Sequence, residues 1–229
     1  MSTIAIIPAR AGSKRIPKKN LALVNGIPMV TWSIRAAVES KMFDRIIVSS
    51  DSSEIYEIAK VEKVEFDQRP PYLAGDDARV RDVCMDILSR IEAQGEMPMI
   101  MSVLYATAPL RTAEDIKATV SLITPGICDF AVAVTEFSHP VHQALIRKPD
   151  GSGVPAFPEL VRLRHDEIAS YVVDNGSTYS VCVAEWLRQK TWFGSSLRMH
   201  LMPRRRSIDV DTPEDLDYLR FVAGQDLVS

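Results

Sequence analysis

Residues 4–21 run Ile-Ala-Ile-Ile-Pro-Ala-Arg-Ala-Gly-Ser-Lys-Arg-Ile-Pro-Lys-Lys-Asn-Leu, and the rest of the chain is best understood from this stretch. Its first four residues, Ile4 to Ile7, form an apolar run that is too short for a helix. Such a run predicts a buried strand in the middle of a parallel sheet. After Pro8 no acidic residue appears until Glu39, and the loop carries five cations: Arg10, Lys14, Arg15, Lys18 and Lys19.

This basic loop is a candidate ligand site. Open α/β sheets bind ligands in loops at the carboxyl ends of their strands. Gly12 and Ser13 lie inside the loop, where a glycine lets the backbone come close to a ligand. Five cations at this place suit a polyanion such as a nucleoside triphosphate. The alternative is a solvated basic loop, which is disfavoured because closely packed like charges repel one another.

Composition limits the class of protein. The chain has 229 residues, 46% hydrophobic and 25% charged, which suits one α/β domain over 1–229 with a small appendage. Its net charge is −3, so the positive charge is local, and binding to long nucleic acid is disfavoured. No apolar run is long enough to span a membrane, and the N-terminus does not resemble a signal peptide. Three scattered cysteines predict reduced thiols in a cytoplasmic protein.

The order of predicted elements indicates the fold. Strands and helices alternate from Ile4 to about Val134, which predicts a mostly parallel, Rossmann-like sheet with helices on both faces. Prolines and glycines interrupt residues 138–170, so this segment is predicted to be an excursion with a hairpin or extended arm. Two further strands, 171–173 and 179–183, are predicted to flank a turn at Asp174-Asn175-Gly176.

Near the end of the chain, Asp209 and Asp211 form the second chemical feature. They are two residues apart on an extended segment, so their carboxylates share a face. Two such carboxylates suit Mg²⁺, especially where phosphate oxygens complete its coordination. Alternatively, Asp211 helps to cap the following helix and Asp209 pairs with arginines 204–206. The polyphosphate loop favours the metal, since triphosphate chemistry needs a divalent cation.

Two arginines and the absence of two glycine-rich motifs narrow the range of possible functions. Arg69 and Arg111 follow predicted strands, and each is either a clamp for a phosphate or carboxylate or a surface residue. The loop after the first strand lacks the glycines of a Walker motif and of a Gly-x-Gly-x-x-Gly motif. An ordinary P-loop NTPase and a dinucleotide oxidoreductase are therefore both disfavoured.

Two motifs together resemble a known family. Residues 7–20, from Ile-Pro-Ala-Arg to Lys-Lys-Asn, and Ser-Ile-Asp-Val-Asp-Thr at 207–212 resemble the signatures of the acylneuraminate cytidylyltransferases. Arg69-Pro70 and Thr107-Ala-Pro-Leu-Arg111 occupy the expected places between them, so the resemblance covers the whole chain. It implies a nucleotidyltransferase fold, a homodimer with 138–170 as the dimerisation and substrate-covering arm, and no nucleic-acid or membrane partner.

The resemblance also implies a set of site residues. Arg10, Lys19 and Asp209 are expected to be catalytic, with Asp209 as the candidate proton acceptor. Asp209 and Asp211 are the expected Mg²⁺ ligands. The residues expected to bind CTP are Arg10, Gly12, Ser13, Lys14, Lys19, Asn20 and Arg69. Those expected to face an acidic nine-carbon sugar are Tyr105, Gln143 and Tyr179.

The expected reaction is attack by the anomeric hydroxyl of a nonulosonic acid on the α-phosphorus of CTP, with release of pyrophosphate. Tyr105-Ala-Thr-Ala-Pro109 and residues 139–145 resemble the pseudaminic acid branch, whereas the segment from Asp174 to Tyr179 departs from it. The sugar therefore stays open, with pseudaminic and legionaminic acids as candidates. Two alternatives remain: a cytidylyltransferase for the eight-carbon acid Kdo, and a non-catalytic nucleotide- or RNA-binding protein.

Overall fold

The computed structural model describes residues 2–164 and 167–225. Its strands are β1 Thr3–Pro8, β2 Leu23–Val24, β3 Ile27–Pro28, β4 Arg45–Ser50, β5 Glu65–Gln68, β6 Ile100–Leu104, β7 Phe130–Glu136, β8 Leu145–Arg147, β9 Gly153–Pro155, β10 Val172–Cys182 and β11 Leu197–Leu201. Its α-helices are α1 Met29–Ser40, α2 Ser53–Val61, α3 Pro71–Ala74, α4 Val80–Glu92, α5 Ala113–Val120, α6 Val183–Gln189 and α7 Pro213–Ala223. No helix of these ranges is long and apolar enough to cross a membrane.

Seven strands form the central sheet in the order β11-β7-β10-β6-β1-β4-β5. Strand β1 pairs in parallel with β4 on one side and with β6 on the other. Strand β10 runs antiparallel to both of its neighbours, β6 and β7. The predicted mostly parallel α/β sheet is confirmed, and β1, which precedes the basic loop, lies inside it.

Both faces of the sheet are covered by helices, as predicted. The alternation of side chains along β1 sends Ile4 and Ile6 to one face and Ala5 and Ile7 to the other. Ile4 and Ile6 pack in a buried cluster with residues of α4 and α6. Ala5 and Ile7 pack with residues of α1, α2 and α5. These four side chains are at most 1% exposed, so β1 is anchored from both sides.

Capping signals in the sequence match the observed helix starts. Thr112 and Thr212 are the N-caps of α5 and α7, and each accepts a hydrogen bond from the backbone N–H three residues on. Asp115 and Asp215 complete a capping box in each helix. Asp215 also accepts a hydrogen bond from the backbone N–H of Asp211, so the cap of α7 helps to hold the acidic segment.

One predicted turn is wrong. Asp174-Asn175-Gly176 does not separate two strands, because β10 continues from Val172 to Cys182 with a register shift between Asp174 and Tyr179. Gly176 has φ +66°, a left-handed conformation that glycine adopts without steric cost. The turn-forming residues therefore make a bulge, because neighbouring strands hold β10 on both sides.

The excursion at 138–170 contains the hairpin that the sequence predicts, formed by β8 and β9. Residues 165 and 166 of this arm lie outside the described residues. The hairpin carries apolar side chains on its surface: Leu145 is 70% exposed and Ile146 is 55% exposed. These side chains are not buried against the described part of the same chain.

Candidate active site

A cavity of about 410 Å³ opens at the carboxyl end of β1. It is bounded by the basic loop, by the segment between α3 and α4, and by the acidic segment before α7. Its lining residues are Pro8, Arg10, Gly12, Ser13, Lys14, Arg15, Lys19, Asn20, Arg69, Asp76, Ala78, Val80, Val83, Tyr105, Thr107, Asp209 and Asp211. Every residue that the sequence predicts to bind nucleotide or metal therefore lies at one cavity.

Hydrogen bonds from neighbouring residues hold the backbone of the basic loop. The N–H of Ala11 donates to Oδ1 of Asp51 over 2.7 Å. The side-chain amide of Asn20 donates to the carbonyl of Arg10 over 2.9 Å. Asp51 follows β4, the parallel neighbour of β1, so the sheet itself fixes the start of the loop.

The five loop cations are paired with acids, contrary to the expectation of an uncompensated loop. Asp76 contacts Arg10 at 2.6 Å and Lys14 at 2.7 Å, one carboxylate oxygen to each. Lys18 pairs with Glu54 of α2 at 2.7 Å and is absent from the cavity lining. The sequence does not reveal these pairs because the acids are distant in the chain.

Lys19 joins the two ends of the chain. Its ammonium group donates to the carbonyl of Val210 at 2.7 Å and contacts Oδ1 of Asp211 at 3.1 Å. Arg15 contacts the same carboxylate oxygen at 3.0 Å. The Lys19 side chain is only 15% exposed, so its charge is held at the cavity wall. The basic loop and the acidic segment thus form one continuous surface.

Asp209 lies at the cavity in an environment that disfavours its negative charge. Its pKa is raised, chiefly because surrounding protein removes water, and also because Asp211 and Asp174 are nearby; Thr107 opposes the shift with a hydrogen bond. A bound divalent cation would offset both unfavourable effects. Two carboxylates are few for an all-protein metal site, but Mg²⁺ takes one or two carboxylates with substrate phosphates and water. The donor set therefore fits Mg²⁺.

Arg69 and Asn20 form the buried part of the cavity wall. Arg69 is 5% exposed and donates to the carbonyl and hydroxyl of Ser49. Burial lowers the pKa of its guanidinium, partly offset by Asp51 and Asp67. Asn20 is 8% exposed, and its Oδ1 is buried without a hydrogen-bond partner in the described residues. An unpaired acceptor beside a cavity is suited to a donor group of a ligand.

The three residues predicted to face the sugar lie in different places. Tyr105 lines the cavity, and its ring packs edge-on against that of Tyr179, with centroids 5.6 Å apart. Tyr179 lies behind Tyr105 and donates its hydroxyl hydrogen to Asp174. Burial raises the pKa of both phenols, so both remain neutral. Gln143 is an exposed arm residue and does not line this cavity.

Arg111 neither lines the main cavity nor lies on the surface. It is 2% exposed and donates from Nη1 to the carbonyls of Ser177, at 2.6 Å, and Tyr105, at 3.3 Å. Its Nε and Nη2 have no hydrogen-bond partner in the described residues. Burial lowers its pKa to about 9, although Asp115 opposes the shift. Arg111 is therefore a buried cation behind the loop that carries Tyr105 and Thr107.

Asp115 ties the end of the sheet to the acidic segment. Its carboxylate accepts two hydrogen bonds from Arg206, at 2.8 and 3.0 Å, and contacts Nε2 of His200 at 3.1 Å. Burial would raise the pKa of Asp115, but hydrogen bonds from Thr112, His200 and Arg206 outweigh burial and lower it. Arg206 precedes Asp209 by three residues, so this ion pair anchors the segment at its start.

The sequence of this chain is similar to those of known proteins. The sequence profile described as cytidylyltransferase matches residues 4–134. The chain is 28% identical to the pseudaminic acid cytidylyltransferase of Campylobacter jejuni, over 97% of this chain and 96% of the relative. It is 30% identical to the CMP-N,N'-diacetyllegionaminic acid synthase of Legionella pneumophila, over 94% of this chain and 93% of the relative.

A solved structure supports the same fold. The CMP:2-keto-3-deoxy-manno-octonic acid synthetase, determined in complex with CTP, superposes with a TM-score of 0.72 at 17% identity. The match covers 99% of this chain and 100% of that chain. At this identity the likeness extends to the fold and not to the choice of sugar.

Proposed function

Because this chain belongs to the cytidylyltransferase family, we propose that it transfers CMP from CTP to a nonulosonic acid and releases pyrophosphate. The relatives named for pseudaminic and diacetyllegionaminic acids align over nearly their full length, which supports nine-carbon acids as substrates. Pseudaminic and legionaminic acids are the first candidates. Membership of an enzyme family disfavours the non-catalytic RNA-binding alternative.

One observation carries the proposal: cations from residues 10–19 and carboxylates from residues 209–211 line the same cavity. The cations suit the phosphates of CTP, and the carboxylates suit the metal that accompanies them. Lys19 lies between the two groups, in contact with Asp211. A polyphosphate bound here would extend from the basic loop towards the acidic segment.

Individual residues take distinct roles in this mechanism. Arg10, Ser13, Lys14 and Lys19 would bind the phosphates, and the cations among them would stabilise the charge that develops as pyrophosphate leaves. The backbone at Gly12 leaves room beside the loop, since no atom lies within 4 Å of a Cβ built there. Asn20, with its unpaired Oδ1, would accept a hydrogen bond from the nucleoside, and Arg69 would form the floor of its pocket.

On the sugar side, Asp209 would accept the proton of the anomeric hydroxyl. Asp209 and Asp211 would hold Mg²⁺, which when bound would neutralise negative charge on the phosphates. Tyr105 would contact the sugar directly, while Tyr179 would fix its ring orientation from behind. Gln143 would approach from the arm.

We also propose that the chain is a homodimer formed through the arm. Leu145 and Ile146 of β8 are 70% and 55% exposed, and Val154 of β9 is 39% exposed. Apolar side chains grouped on one hairpin are typical of a protein interface. Pairing with a second copy would remove them from water and bring the arm against another subunit.

The direct test is a substrate panel. Purified protein with CTP and Mg²⁺ should release pyrophosphate with at least one nonulosonic acid, most rapidly with the pseudaminic or legionaminic forms. The panel should include Kdo, because turnover with Kdo alone would support the eight-carbon alternative. No release with any of these acids would contradict the proposed function.

A variant tests the metal assignment. Asp211→Ala should abolish pyrophosphate release, because it removes a metal ligand and the partner of Lys19 and Arg15. The matched control is Asp217→Ala on α7, whose carboxylate is 78% exposed and outside the cavity. Both variants should melt close to the unmodified protein. Retained activity in Asp211→Ala would contradict the assignment.

A further inference from the structure

Asp76 is an acidic residue inside a cavity that is otherwise suited to phosphates. It lies between α3 and α4, and its two carboxylate oxygens contact different side chains of the basic loop. Oδ1 is 2.6 Å from Nη1 of Arg10, and Oδ2 is 2.7 Å from Nζ of Lys14. One carboxylate thus bridges two of the cations to which we assign phosphate binding.

Asp76 lies at the cavity, whereas its neighbour Asp77 does not. Ala78 and Val80, a few residues on, line the same cavity, so the segment forms one of its walls. The next residue, Asp77, is also exposed but is absent from the cavity lining. Hydrogen bonds from Lys14 and Arg10 lower the pKa of Asp76, so it is ionised at neutral pH.

A phosphate and the Asp76 carboxylate compete for the same two cations. Both are anions that accept charge-assisted hydrogen bonds, and they repel each other at short range. A polyphosphate that contacts both Arg10 and Lys14 must therefore displace the carboxylate. The two ion pairs of Asp76 are only partly buried, so breaking them costs little free energy. A ligand with several negative charges can offset this cost.

We propose that Asp76 is a positioning residue that acts through Arg10 and Lys14, an inference that rests on the proposed cytidylyltransferase function. Before CTP binds, it holds both cations at the cavity. It yields them to the phosphates of CTP and regains them as pyrophosphate leaves. Asp76 thereby weakens polyphosphate binding and promotes release of pyrophosphate.

The main test measures binding without turnover. Asp76→Asn should bind inorganic pyrophosphate about three- to tenfold more tightly in calorimetric titrations, since each exposed ion pair contributes modestly. Its affinity for cytidine, which carries no phosphate, should not change. Asp77→Asn removes the same charge one residue away and should leave both affinities within about twofold, given its position outside the cavity.

A double-mutant cycle separates displacement from general electrostatics. In a Lys14→Gln background, Asp76→Asn should tighten pyrophosphate binding by a smaller factor, because one of the two contacts is already lost. Equal effects in both backgrounds, or equal effects of Asp76→Asn and Asp77→Asn, would overturn the proposal. Weaker or unchanged pyrophosphate binding by a folded Asp76→Asn would also overturn it.

Kinetics provides a readout that a purely structural role would not change. With an accepted sugar, Asp76→Asn should show a lower KM for CTP and stronger product inhibition by pyrophosphate, with an unchanged KM for the sugar. Unchanged inhibition by pyrophosphate would overturn the proposal. The binding tests use no sugar, so an error in the assigned substrate would appear in the substrate panel and not in them.

Discussion

A methyl group on Gly176 would lie 2.7 Å from Oδ2 and 3.0 Å from Cγ of Asp209. The bulge in β10 therefore packs directly against the carboxylate that we assign to the metal and to proton transfer. Gly176→Ala should displace the whole Asp209 side chain, because Cβ of Asp209 would be only 3.3 Å away. We expect kcat to fall about a hundredfold, the scale associated with a displacement of about 1 Å.

The control for this variant separates strain from displacement. Gly95 also has a positive φ, +82°, but a methyl group there would meet no atom within 4 Å. Gly95→Ala should destabilise the protein by about 1 kcal/mol through backbone strain and leave kcat unchanged. Equal losses of kcat in the two alanine variants, measured by pyrophosphate release, would contradict the assigned contact.

The same substitution at Arg111 and at Arg206 should change the free energy of unfolding by different amounts. Arg111→Met removes a buried cation with two unpaired nitrogens, so the free energy of unfolding should change by no more than about 1 kcal/mol. Arg206→Met leaves the buried Asp115 without its cationic partner and two of its hydrogen bonds, and should cost about 3 kcal/mol. Urea unfolding measures both values, and a larger loss for Arg111→Met would contradict this ranking.

Asp115 should make stability depend on pH in the acidic range. Its pKa is lower in the folded than in the unfolded protein, so its contribution is complete above the unfolded pKa of about 4. That contribution is lost as pH falls through the lower, folded pKa. Asp115→Asn should be less stable at neutral pH and should show a shallower decline below about pH 4. Thermal melting between pH 3 and 7 would test this, and parallel curves would contradict it.

The arm should control association. Ile146→Asp places a charge among the exposed apolar side chains of β8 and β9, and should shift the proposed dimer to monomer. Phe221→Asp is the matched control, since Phe221 is 65% exposed on α7. Sedimentation velocity should give a monomer for the first variant and a dimer for the second. A dimer in both variants would place the interface elsewhere.

Local sequence signals predicted much of the fold. The caps at Thr112 and Thr212 depend on neighbouring residues, and the apolar run of β1 was found as expected. The continuous strand β10 was not predicted, because Asp-Asn-Gly is compatible with both a turn and a bulge. Pairing with β6 and β7 decides between them, and these strands are far away in the sequence.

In the candidate site, too, the charged residues were predicted and their distant partners were not. Charged residues at the two ends of the chain indicated a phosphate loop and a metal pair, and the structure brings them to one cavity. The partners of those charges were missed. Asp76 is 66 residues from Arg10, and Arg206 is 91 residues from Asp115. Such pairs depend on the packing of helices against the sheet, and no local pattern specifies them.

The contact between Lys19 and Val210 spans 191 residues, nearly the whole chain. During synthesis the basic loop leaves the ribosome long before Asp211, the partner of Lys19 and Arg15, is made. Until then Lys19 and Arg15 lack this partner, whereas Glu54 and Asp76, which pair with the other three cations, are made much earlier. Closure of this contact is therefore a late step that carries a loop-closure cost, and the cavity wall is complete only after residues 209–211 have been made.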